Sequence, residues 1–159
     1  MVTPIQAANY FIEKSISTGI ELTPMKLVKL VYIAHGWYLG LTGKPLLSEA
    51  VIAWQYGPVI TSLYKTFKKY GGKQIITLES DNERGTIPMI ETEEIKQLLD
   101  KVWQVYGKYS GVQLSSLTHQ KDSPWYQSFD KFGQNAIIPH DMIEQHYKAK
   151  IHARTPIAA

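Results

Sequence analysis

Apolar residues recur at helical spacing along most of this chain, and only a few short stretches break the pattern. Thr3-Pro4 is a helix-start signal: threonine can cap a free backbone N–H, and proline at the first helical position loses no hydrogen bond. Ala7, Tyr10, Phe11 and Ile16 then trace one apolar face, which Gly19 closes. Thr23-Pro24 repeats the signal, and Leu27, Leu30, Val31, Ala34, Tyr38 and Leu41 keep the spacing up to Gly43. The opposite side of this second helix carries Val28, Tyr32, His35 and Leu39, so it is apolar around much of its circumference. Such a helix is predicted to be the central, most buried one.

The pattern changes after Pro45. Leu46-Leu47 and Val51-Ile52 are short apolar pairs among turn formers, which predicts small strands or extended pieces. Gly57-Pro58 punctuates the chain, and its proline sits where a third helix can begin; Val59, Ile60, Leu63, Tyr64 and Phe67 follow before Gly71-Gly72. Residues 73–89 predict a hairpin or a surface excursion around the polar turn at 81–85. Thr92-Glu93-Glu94 opens a fourth helix with the core stripe Ile95, Leu98, Leu99, Val102, Trp103, Tyr106. Ser110 caps a fifth helix through Val112, Leu114 and Leu117, and Ser123-Pro124-Trp125 begins another helical turn. Ile137-Ile138 before Pro139 reads as extended, and residues 141–151 as a final helix. The expected fold is mainly α, a single compact multi-helix domain over residues 1–152 with minor β near 46–54 and 75–87, and a flexible tail at 153–159.

Composition narrows the function classes. The 159 residues are 44% hydrophobic and 19% charged, close to globular usage and far from disorder. There is no cysteine, which removes disulfides, thiolate zinc sites and cysteine nucleophiles. No GxSxG, GxxxxGK[ST] or GxGxxG occurs, and the glycines mark helix ends instead. The expectation is therefore a protein that is not an enzyme and needs no cofactor. His119, His140 and Glu144 are the one set from which a metal or hydrolytic centre could be assembled, but no HExxH accompanies them, and a surface pairing accounts for His140 and Glu144 four residues apart. His35, inside the central helix, is expected to be a hydrogen-bonded core histidine. The opening residues lack a basic segment followed by an apolar run, and no stretch is apolar for long enough to cross a bilayer, so a cytoplasmic location without membrane attachment is expected.

A formal charge of +3 decides nothing alone. The stretch Tyr64-Lys65-Thr66-Phe67-Lys68-Lys69-Tyr70 interleaves lysine with aromatics, which supports an alternative reading as a nucleic-acid-binding regulator. The plainer account is favoured: the lysines form a solvated face at a helix C-terminus while the aromatics fill the core stripe. Of the four tryptophans, Trp54 and Trp125 stand beside proline-containing turns rather than inside long amphipathic runs, and aromatics in such places commonly anchor protein interfaces.

Several elements occur in an order that is far more specific than any one of them. Residues 22–37, Leu-Thr-Pro-Met-Lys-Leu-Val-Lys-Leu-Val-Tyr-Ile-Ala-His-Gly-Trp, are followed by Gly43-Lys44-Pro45-Leu46, then by Ala53-Trp54-Gln55-Tyr56-Gly57-Pro58-Val59, and further on by His119 and Ser123-Pro124-Trp125. This series resembles the Panacea (SocA-like antitoxin) family, most strongly between Leu22 and Tyr70. The resemblance implies an antitoxin-type domain of bacterial or prophage origin that neutralises a cognate toxin protein by direct binding. It leaves open whether the toxin is merely occupied or is handed to a ClpXP-type protease by an adaptor. Residues implied to touch the partner are Trp54, Tyr56, Gly57, Pro58, Tyr64, His119 and Trp125. For Gly57-Pro58 a purely architectural role, redirecting the chain into the third helix, stands beside a role in binding.

Overall fold

A computed structural model describes residues 1–81 and 83–154, the last of these as backbone only. Its helices are α1 (Pro4–Thr18), α2 (Pro24–Thr42), α3 (Thr61–Phe67, continued by a 3-10 turn at Lys68–Tyr70), α4 (Glu93–Tyr106), α5 (Gly111–Thr118), α6 (Pro124–Phe132) and α7 (His140–Arg154). Strands β1 (Val51–Trp54), β2 (Gly57–Val59) and β3 (Ala136–Ile138) form one antiparallel sheet in the order β2-β1-β3. The fold is thus mainly α with minor β. Residues 155–159 of the expected tail lie outside the described residues.

Local chemistry explains the helix starts. Thr3, Thr23, Ser110 and Ser123 each accept the backbone N–H three residues on, and Thr3 and Ser110 complete capping boxes with Gln6 and Gln113. Helix α2 runs through the middle of the molecule, packed by α1, α4, α5 and α7. Leu27, Leu30, Val31, Tyr32, Ile33, Ala34 and Leu39 are all buried, and each large apolar side chain among them contributes about 1.5–3 kcal/mol of transfer free energy. At Gly36 a Cβ would overlap the Tyr147 ring, so the glycine is what lets α7 lie close against α2.

Helix α2 also buries two charges that its apolar pattern conceals. The Lys26 ammonium donates to the Glu21 and Gly107 carbonyls at 3.0 and 2.5 Å and lies 5.5 Å from the Trp103 ring centroid. The Lys29 ammonium donates to the Pro58 carbonyl at 2.9 Å. Both cations end on backbone oxygens, which satisfies hydrogen bonding without neutralising charge.

Three expectations are corrected. Gly57-Pro58 does not begin a helix: it forms β2, which pairs with β1 through Ile52↔Val59, Ala53↔Pro58 and Trp54↔Gly57, and α3 starts only at Thr61. Proline suits either place, since β2 is an outer strand where a missing N–H is tolerated. Residues 75–87 form no strand among those described; the segment is a tied-down excursion. Its buried pin is Asn9, which donates to the Glu79 and Pro88 carbonyls and accepts the Glu79 N–H, while Ile75 N–H donates to Leu22. Finally, Ile16, Leu41, Val112 and Leu117 keep helical spacing yet are exposed, and Val112 and Leu117 line an open cavity rather than the core.

Candidate partner-binding site

The turn between β1 and β2 is Gln55-Tyr56, and the carbonyls around it are held by donors from three different helices. Trp54 O accepts the Trp125 indole N–H at 2.6 Å, Tyr56 O accepts the Ser115 hydroxyl at 2.6 Å, and Pro58 O accepts Lys29. Each donor leaves the solvent to reach its carbonyl, so each bond contributes about 1 kcal/mol when made and costs more when broken. Ser115 also lies 3.4 Å from His119 Nδ1, and the His119 ring meets Trp125 edge-on with centroids 5.2 Å apart. Trp125 stacks on Phe129 at 4.9 Å. From the other side, Trp54 Nε1 donates to the Asn135 side-chain oxygen at 3.0 Å, and Asn135 N–H donates to Ala53 O.

Gly57 sits inside this clamp with φ +117°, a conformation that side chains oppose. A Cβ there would stand 3.2 Å from Lys29 Nζ and 3.5 Å from Thr118 Oγ1. The glycine therefore lets the hairpin approach the buried ammonium. Burial lowers the Lys29 pKa to about 8, with no acidic neighbour among the described residues to raise it again.

Clamped in this way, the hairpin presents an apolar groove of about 290 Å³ between the start of α2, the strands and α3. Its walls include Met25, Trp54, Tyr56, Tyr64 and Lys68, and Lys29 contributes to its lining. The Trp54 and Tyr64 rings meet edge-on at 4.8 Å. Tyr56 and Tyr64 are 64% and 47% exposed.

The seven residues singled out from the sequence thus fall into two groups. Trp54, Tyr56 and Tyr64 come together on the groove. Gly57, Pro58 and Trp125 are buried and His119 is half-buried; they lie behind the groove and hold its wall. Met25, Lys29 and Ser115 complete the arrangement and were not singled out. The available signal was the pair Lys26 and Lys29 on a helix with no polar face to receive them.

The other candidate chemistries are not assembled. His140 meets the His35 ring at 5.0 Å, Glu144 pairs with Lys148 at 2.6 Å, and His119 belongs to the clamp. No cluster of three potential ligands suited to a metal ion occurs among the described residues. His35 Nδ1 accepts the Leu47 N–H at 3.3 Å, whereas its buried Nε2 has no partner among the described residues. Burial first, then His140, lowers its pKa to about 4. In the basic stretch, Lys69 pairs with Glu79 and Phe67 is buried against Tyr70, whereas Tyr64 is exposed on the groove, so the expectation that these aromatics fill the core holds for Phe67 and not for Tyr64. No helix among the described residues is long and apolar enough to cross a membrane.

Comparison with known proteins identifies the family. The family model described as Antitoxin SocA-like, Panacea domain, matches residues 27–126, a span that contains α2, the hairpin, α5 and the Trp125 donor. A curated relative, Antitoxin SocA of Caulobacter vibrioides (strain NA1000 / CB15N), is 30% identical over 123 residues, covering 74% of this chain and 65% of the relative. The chain therefore spans somewhat less than two thirds of that relative's length. No solved structure matches significantly. The chain belongs to the SocA-like antitoxin family and carries its Panacea domain.

Proposed function

We propose that this chain is an antitoxin module that neutralises a toxin protein by holding it on the groove formed by Met25, Trp54, Tyr56 and Tyr64. The observation that carries the reading is two tyrosines left in solvent on a hairpin whose backbone is fixed by three buried donors. Rigid aromatics lose little conformational freedom on binding and are the residues that most often dominate interface energetics. Membership of an antitoxin family, and the name of the curated relative, support a toxin as the occupant.

The test is co-expression with the product of the neighbouring gene, followed by co-purification. Growth should be rescued by the wild-type chain. Tyr56→Ala combined with Tyr64→Ala should weaken capture by about 30-fold or more, since two interface anchors at about 1–2 kcal/mol each are removed. Both side chains face solvent, so thermal stability should stay within about 0.5 kcal/mol. Rescue that survives the double substitution would place the toxin elsewhere. The fate of the toxin separates two modes: a toxin that persists in a stable complex is inhibited by occupancy, whereas one that disappears only when a ClpXP-type protease is present is being delivered to it.

A further inference from the structure

Further along α2 lies a second cavity, of about 470 Å³, bounded by α2, α4, α5 and α7. This volume is within the range of small-molecule sites. Its walls are mixed: Val105, Leu117 and Pro124 are apolar, while Tyr32, His146 and Lys150 bring polar groups to the space. No aspartate or glutamate lines it among the described residues.

Two features mark it as unfinished without an occupant. Tyr32 is 1% exposed, yet its hydroxyl makes no hydrogen bond to another described residue, and burial alone raises its pKa. Tyr32 lines the cavity, so a phenol that can both donate and accept stands at its wall with no partner from the described residues. His146 and Lys150 stand one helical turn apart on α7, both half-buried and both bordering the cavity. Burial and then Lys150 lower the His146 pKa, against a smaller opposite effect of Asp122, which does not line the cavity. Like charges at this spacing repel, and Lys150 forms no ion pair with another described residue.

From these observations we propose that the cavity binds a small organic anion, a carboxylate or phosphate ester with a flat apolar body. The anionic group sits between Lys150 and His146, the Tyr32 hydroxyl donates to it or to a polar atom of the body, and the body lies along Val105, Leu117 and Pro124. The site is separate from the aromatic groove and does not depend on the toxin reading.

The experiment uses the full chain and follows the His146 imidazole by NMR while benzoate, phenyl phosphate, inorganic phosphate or the neutral benzamide is added to millimolar concentration. Benzoate or phenyl phosphate should raise the His146 pKa and the melting temperature, since an anion favours the imidazolium and stabilises only the folded state. Whichever of the two acts at lower concentration identifies the anionic group. Lys150→Gln should weaken binding about 10-fold, and Ser116→Trp, at an exposed position on the cavity rim, should abolish it with the fold intact. Inorganic phosphate and benzamide should act weakly. The proposal is overturned if benzamide matches benzoate, if Ser116→Trp binds as the wild type does, or if neither organic anion moves the His146 resonance.

Discussion

Replacing Lys29 by methionine keeps an unbranched apolar stem of four heavy atoms and removes the ammonium that donates to Pro58. Lys29 is 3% exposed, and burial lowers its pKa from 10.5 to about 8. At about 1.36 kcal/mol per unit, keeping the charged form inside costs about 3 kcal/mol at neutral pH. The unfolded chain, titrating near 10.5, binds more protons than the folded chain between pH 8 and pH 10.5. A depressed folded pKa therefore means that stability rises with pH across that window and is lost again as pH falls through about 8. From pH 7.5 to pH 9.5 the wild type should gain about 2 kcal/mol from this residue. In Lys29→Met that gain should vanish, while the buried Pro58 carbonyl loses its donor at a cost of about 1–3 kcal/mol. The two effects nearly offset at pH 7.5, and by pH 9.5 the variant should be the less stable by about 2 kcal/mol. The contribution of Lys26, also lowered by burial, is common to both proteins and cancels in the difference. Urea unfolding at constant ionic strength, followed by tryptophan fluorescence and far-ultraviolet circular dichroism, measures it. Parallel stability profiles for the two proteins would show that Lys29 is not held as a buried cation.

Two further outcomes follow from the same interior. Trp125→Phe keeps a ring to stack on Phe129 but orphans the Trp54 carbonyl, so urea unfolding should show a loss of about 1–3 kcal/mol; a change under 0.5 kcal/mol would mean that this bond is immaterial. His35, its folded pKa depressed to about 4, should stay neutral well below pH 6 in an NMR titration of its ring. Its contribution to stability is present above pH 6.5 and fades as pH falls towards about 4, and a titration midpoint above 6 would refute the burial argument.

What could be read in advance was what short segments decide for themselves. The caps at Thr3, Thr23, Ser110 and Ser123 and the buried character of α2 follow from residues within a turn or two of each other, and all are observed. Gly57-Pro58 was misjudged because a fixed φ serves a helix start and an outer strand equally, and the strand's partners are β1 and a lysine 29 residues earlier. The segment at 75–87 depends on Asn9, whose partner Glu79 is 70 residues away. On the candidate site, the cue of an aromatic beside a proline turn singled out Trp54, which lines the groove with Tyr56 and Tyr64. The same cue drew in Trp125, whose indole is spent on an internal carbonyl. Periodicity registers how apolar a position is; it does not register which donor will arrive from another helix.

The clamp on the hairpin also sets a timetable. Lys29 precedes the carbonyl it serves, but the donors for Tyr56 and Trp54 lie 59 and 71 residues downstream. At ribosomal speeds of about 5–20 residues per second, the last donor is made roughly 4–14 s after its acceptor. Until then the turn lacks two of its three supports, and the groove has no fixed shape. On the proposed reading, a nascent or prematurely ended chain presents no complete groove until synthesis has passed Trp125. In any newly made chain, that interval is a delay written into the order of the residues.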